Sequence, residues 1–141
     1  MSDFSQSIDI NAPPARVYTI MSDVERWHEW TASIRRVTRR GTGPLAVGQR
    51  AIVRQPRFPP ALWTVTDVEP GRSFTWVSTA PALRVTATHR VEATPTGSRA
   101  TLSLNYEGFF GELIARWTRG ITTRYVAMEA AGLKRRSEEP A

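Results

Sequence analysis

Phe4-Ser5-Gln6-Ser7-Ile8-Asp9-Ile10 alternates apolar and polar positions with period two, the pattern of a half-buried strand. The period then lengthens. Val17, Ile20 and Met21, with Tyr18 beside them, recur at helical spacing up to Asp23. Asn11, Pro13 and Pro14 suit the helix entry, where the N–H that proline lacks would be unpaired anyway. A second short helix is predicted over 24–30. Period two returns from 33 to 107, predicting strands at 33–40, 50–57, 63–69, 73–79, 83–94 and 98–107. Each stops at a breaker: Gly41-Thr42-Gly43-Pro44, Phe58-Pro59-Pro60, Pro70-Gly71, Pro81 or Pro95-Thr96-Gly97. Past Gly108 the spacing is helical again. Phe110, Leu113, Ile114, Trp117, Ile121, Tyr125, Met128 and Leu133 predict one broad apolar face on a single helix over 111–135, about 37 Å long at 1.5 Å per residue.

The order strand, two helices, six strands, long helix predicts an α+β domain. Its curved seven-stranded antiparallel sheet wraps around the C-terminal helix, the one element long enough to cover a sheet face. One helix cannot fill the whole concave side, so a cavity between them is expected. The 141 residues make one domain over 1–136, with a frayed tail at 137–141.

Composition narrows the chemistry. The chain has no Cys, which excludes disulfides, thiolate zinc sites and cysteine nucleophiles. His28 and His89, the two histidines, offer no zinc spacing, so no metal is expected, and nothing points to a cofactor. The first residues lack a signal-peptide pattern and no apolar run suffices for a bilayer span, so a cytoplasmic protein is expected. The net charge is +6, and Lys134 is the one lysine among nineteen basic residues. The arginines are scattered from Arg16 to Arg136 apart from Arg35, Arg36, Arg39 and Arg40, a spread unlike the concentrated stripe of a nucleic-acid binder.

Parity selects candidate site residues. His89 shares the inward set of its strand with Leu83, Val85, Ala87 and Val91; a neutral imidazole there orients a carbonyl or serves as a general base. No partner acid is evident. Leu104 and Tyr106 point inward on the last strand, Phe74 and Trp76 on theirs, and Trp63 with Val65 on a third. Arg54 fits either parity; turned inward, its guanidinium would hold a carboxylate or enolate. Trp30 is expected near the cavity mouth, and Trp117 and Ile121 on the covering helix. The catalytic candidates are His89, Tyr106 and Arg54.

The segment INAPPARVYTIMSDVERWHEW resembles the opening of the polyketide cyclase/dehydrase group within the START-related, pollen-allergen-like superfamily. The matching positions are Ile10, Ala12, Pro13, Val17, Tyr18, Asp23, Trp27 and Trp30. GPLAVGQR, WTVTDVEPGRSFTW and HRVEATPTGSRATLSLNYEG resemble later family segments. The resemblance implies a helix-grip fold with an internal cavity for a hydrophobic or aromatic molecule, lipid- or polyketide-like. Two other functions stay open: a cyclase or dehydratase using acid/base assistance, and an arginine-rich interaction module. The oligomeric state is open too, with a homodimer among the options.

Overall fold

A computed structural model describes residues 2–140. Its seven strands are β1 (Ser2–Ile10), β2 (Arg36–Arg40), β3 (Arg50–Arg54), β4 (Ala61–Glu69), β5 (Ser73–Ala80), β6 (Leu83–Thr94) and β7 (Gly97–Glu107). They form one antiparallel sheet in the order β1-β7-β6-β5-β4-β3-β2. β2 to β7 are a meander, in which each strand from β3 on pairs with the one before it. β1 instead lies beside β7, so the chain must cross the whole sheet before β2 begins. Helix α1 (Pro14–Ser22) and a 3-10 helix (Val24–Glu29) make that crossing. A bulge between Val65 and Asp67 breaks the β4–β5 register and sharpens the local bend. The curved sheet and its covering helix are a helix-grip fold.

The C-terminal segment departs from the single predicted helix. It is α2 (Gly111–Trp117) followed by α3 (Arg119–Glu138), with a break at Thr118. Thr118 Oγ1 donates to the Ile114 carbonyl at 2.7 Å, a back-bond that competes with the helical ladder, and Gly120 lies just beyond.

The buried face of α3 is also a different one. Thr122, Val126, Ala130 and Ser137 turn inward together with Leu133, which the predicted face includes, whereas its Ile121, Tyr125 and Met128 lie one or two positions off. Small side chains let the helix approach closely, and Gly132 marks the limit. A Cβ there would fall 2.0 Å from the Trp30 carbonyl oxygen. The larger residues lie half-buried on the flank, where Tyr125 donates to the Pro56 carbonyl at 2.6 Å and its ring meets Phe58 edge-on.

Nor does the chain fray at 137. Ser137 is buried, and Arg16 donates to the carbonyls of Ser137 (2.7 Å) and Glu139 (2.8 Å), satisfying groups a helix end leaves open. Ala141 lies outside the described residues. No helix among them is long and apolar enough to cross a membrane.

Candidate functional site

Strand pairing builds one wall of the site. Phe74 lies opposite His89, and His89 opposite Leu102; Trp76 lies opposite Ala87, and Ala87 opposite Leu104. All six side chains share the concave face because residues directly across a ladder point the same way. Ala87, between the Trp76 indole and Leu104, fills little of the space its neighbours hold open. Facing this wall, α3 presents Thr122, Val126 and Glu129. A cavity of about 390 Å³ lies between them. Trp27, the 58–60 loop, the β5–β6 hairpin and Ile114 of α2 complete its lining.

His89 is 9% exposed and sits in an aromatic box. Its ring stacks on Phe74, centroids 4.3 Å apart and planes 10° from parallel; Trp27 (5.3 Å) and Trp76 (5.9 Å) flank it. Burial among these rings disfavours the imidazolium and lowers the pKa from 6.5 to about 4, with the Phe74 backbone opposing. At neutral pH the ring is uncharged, and Nδ1 is buried with no hydrogen-bond partner. Glu129 experiences the same physics with the opposite sign: burial penalises the carboxylate and raises its pKa from 4.5 to about 7. Thr122 Oγ1, two turns earlier on α3, is buried without a partner like His89 Nδ1. No Lys, Arg or Asp is among the described residues lining the cavity.

Of the residues singled out in the sequence, Trp63, Trp76, His89, Leu104 and Tyr106 line this cavity together. Phe74 lies wholly buried behind His89 and supports it from outside the lining. The other four lie elsewhere. Trp30 is buried under α3, where its carbonyl accepts from Arg135 at 2.9 Å. Ile121 lines a separate depression with Pro56 and Met128. Trp117 is 77% exposed, because the break at Thr118 leaves α2 with an outward apolar ridge. Arg54 takes the outer parity of β3, opposite to buried Val53, and is exposed. There it faces Arg36 across the ladder, as Arg50 faces Arg40. Folding thus gathers arginines that look scattered along the chain.

Glu129 is the acid that sequence reasoning missed. The signal was a carboxylate at helical spacing within Thr122, Val126, Ala130 and Leu133. The larger side chains one position away drew the apolar stripe to a ridge of which Ile114 and Tyr125 line the cavity and Leu133 is buried, while Ile121, Met128 and Trp117 do neither.

The chain matches the family described as polyketide cyclase / dehydrase and lipid transport over residues 1–138. It belongs to this family. No curated protein matches it by sequence. Among solved structures, the fold is shared with the Zhui aromatase/cyclase from Streptomyces (TM-score 0.78, 13% identity, 97% of this chain and 93% of that one). A hypothetical protein from Helicobacter pylori gives a TM-score of 0.83 at 14% identity, over 97% of this chain and 88% of the other. The di-domain ARO/CYC StfQ from the steffimycin biosynthetic pathway gives 0.78 at 12%, over 96% of this chain and 50% of that one. Such identities carry the fold alone. The opening motif that carries the family resemblance is mostly packing: Ile10, Ala12, Val17, Trp27 and Trp30 are all core. Trp27 alone of these also lines the cavity.

Proposed function

We propose that the protein binds an uncharged, largely apolar molecule, aromatic or polyketide-like, between the sheet and α3. The observation that carries this reading is an aromatic-walled cavity of about 390 Å³, within the usual range for small-molecule sites, in which His89, Thr122 and Glu129 offer hydrogen bonds. A protonated carboxyl donates to a ligand carbonyl, and a neutral imidazole accepts from a hydroxyl. A ligand carboxylate would lose its hydration with no cation in the lining to replace it. Family membership and the shared fold of an aromatase/cyclase agree with this choice of ligand class.

Isothermal titration with 2-acetonaphthone and 2-naphthoate, a neutral ketone and an anion of similar shape, tests the reading. The ketone is expected to bind saturably and at least tenfold more tightly. Absence of saturable ketone binding, or preference for the anion, would overturn it.

A second reading, catalysis, is favoured by one specific feature. The cavity holds two titratable groups whose pKa values burial moves in opposite directions, the arrangement that separates an acid from a base. In a cyclisation or dehydration, neutral His89 would take a proton from a carbon next to a carbonyl. Protonated Glu129 would give one to the developing alkoxide or to a departing hydroxyl. Turnover falling far more than ligand affinity in His89→Ala and Glu129→Gln would support it.

A further inference from the structure

α2 is amphipathic in a way the packed protein does not use. Gly111 and Ala115 are buried, and Ile114 reaches the cavity lining. The opposite side carries Leu113 (43% exposed) and Trp117 (77%), and the turn before the helix adds Phe109 (83%), with Phe110 against it (ring centroids 5.1 Å). Exposed Arg116 and Arg119 bracket Trp117, against one carboxylate on α2, Glu112. The back-bond at Thr118 sets this short helix off from α3, and Ile114 of the same helix lines the cavity.

We propose that the Phe109–Trp117 ridge docks on an anionic lipid surface, seating Phe109, Leu113 and Trp117 at the headgroup boundary with Arg116 and Arg119 on phosphates. Trp and Phe beside arginine on one exposed face is the composition of an interfacial helix. A second copy of the chain fits the ridge poorly. At ~150–250 Å² per large ring, its four apolar side chains supply about 500 Å² as exposed here, short of the ~800 Å² per partner of a stable interface. Two-fold pairing across so short a helix would also bring Arg116 and Arg119 close to their own copies. A bilayer needs no such complementary area and welcomes the charge. Docking would bring the cavity lining, through Ile114, toward the phase where an apolar ligand partitions. That consequence rests on the ligand reading above; the docking does not.

The test is co-sedimentation with vesicles of phosphatidylcholine alone and of phosphatidylcholine mixed with phosphatidylglycerol, without added ligand. Binding to the mixed vesicles is expected, and at least tenfold weaker binding to the neutral ones. Replacing both outward aromatics (Phe109→Ala with Trp117→Ala) should reduce partitioning at least tenfold. Arg116→Gln and Arg119→Gln should each cost about fivefold. All four positions are exposed, and an unchanged melting temperature confirms that the variants fold. No binding to mixed vesicles would overturn the proposal, as would binding indifferent to the loss of both aromatics. So would a wild-type dimer in light scattering that these two changes convert to monomer, since the ridge would then serve a second copy. Failure of the naphthyl titration leaves docking standing, so the two proposals fail separately.

Discussion

Burial has opposite consequences for His89 and Glu129, which line the cavity from the sheet and from α3. The native state keeps His89 neutral down to about pH 4, whereas the unfolded chain takes up that proton near 6.5. Between those values the unfolded state binds more protons, so the His89 contribution rises with pH and is complete above about 6.5. Glu129 holds its proton to about pH 7 in the native state and loses it near 4.5 when unfolded. Its contribution is full below 4.5 and is lost as pH rises through 7. Between 4.5 and 6.5 the two slopes cancel, and above 7 only the Glu129 penalty remains. Glu129→Gln removes it without changing shape. Denaturant unfolding should therefore find this variant more stable than wild type at pH 8, by roughly 1–3 kcal/mol, and equal to it at pH 4.5. Equal stability at pH 8 would mean that the carboxyl is solvated.

Among the elements, α3 shows how far the amino-acid pattern determines packing. Period-two runs and their Gly and Pro breakers locate all seven strands, because each face of a pleated strand has a single fate, buried or wet. Parity alone accordingly puts His89, Trp76, Leu104 and Tyr106 on the wall that lines the cavity. Helical periodicity is weaker evidence, since large apolar residues mark the stripe while close approach to a sheet favours small ones. Trp117, Ile121 and Met128 drew the predicted face toward themselves, whereas Thr122, Val126, Ala130 and Gly132 are what fit. Glu129 was lost in the same error, because it belongs to the small-residue ridge. Gly132 gives the packing argument a number. A methyl group there would sit 2.0 Å from the Trp30 carbonyl oxygen, on backbone that cannot swing aside. Alanine favours an exposed helix by about 1 kcal/mol over glycine. Here the sign should reverse, with Gly132→Ala lowering stability by roughly 1–3 kcal/mol in chemical denaturation. A stabilised variant would show that α3 is free to lift from Trp30.

For the molecule as a whole, the decisive question is whether the space under the sheet is a binding site or slack in the core, and the two respond oppositely to being filled. Ala87 lies on the cavity wall between Trp76 and Leu104, so a larger side chain there would project into open volume rather than into its neighbours. If the space is slack, Ala87→Leu buries added methyl groups, raises stability and costs the protein nothing. If it is a binding site, the same stability gain comes with loss of the guest. A ligand at a hundred times its Kd stabilises the native state by about 2.7 kcal/mol, which for a chain of this length is a rise of roughly 5–10 °C in Tm. With saturating 2-acetonaphthone, wild type should show that rise and Ala87→Leu should show almost none, its own Tm being equal to or above that of unliganded wild type. A rise of the same size in both proteins would place the ketone outside this cavity. Ala87→Leu that loses both stability and binding would mean that the sheet closes on α3 more tightly than a volume of about 390 Å³ allows.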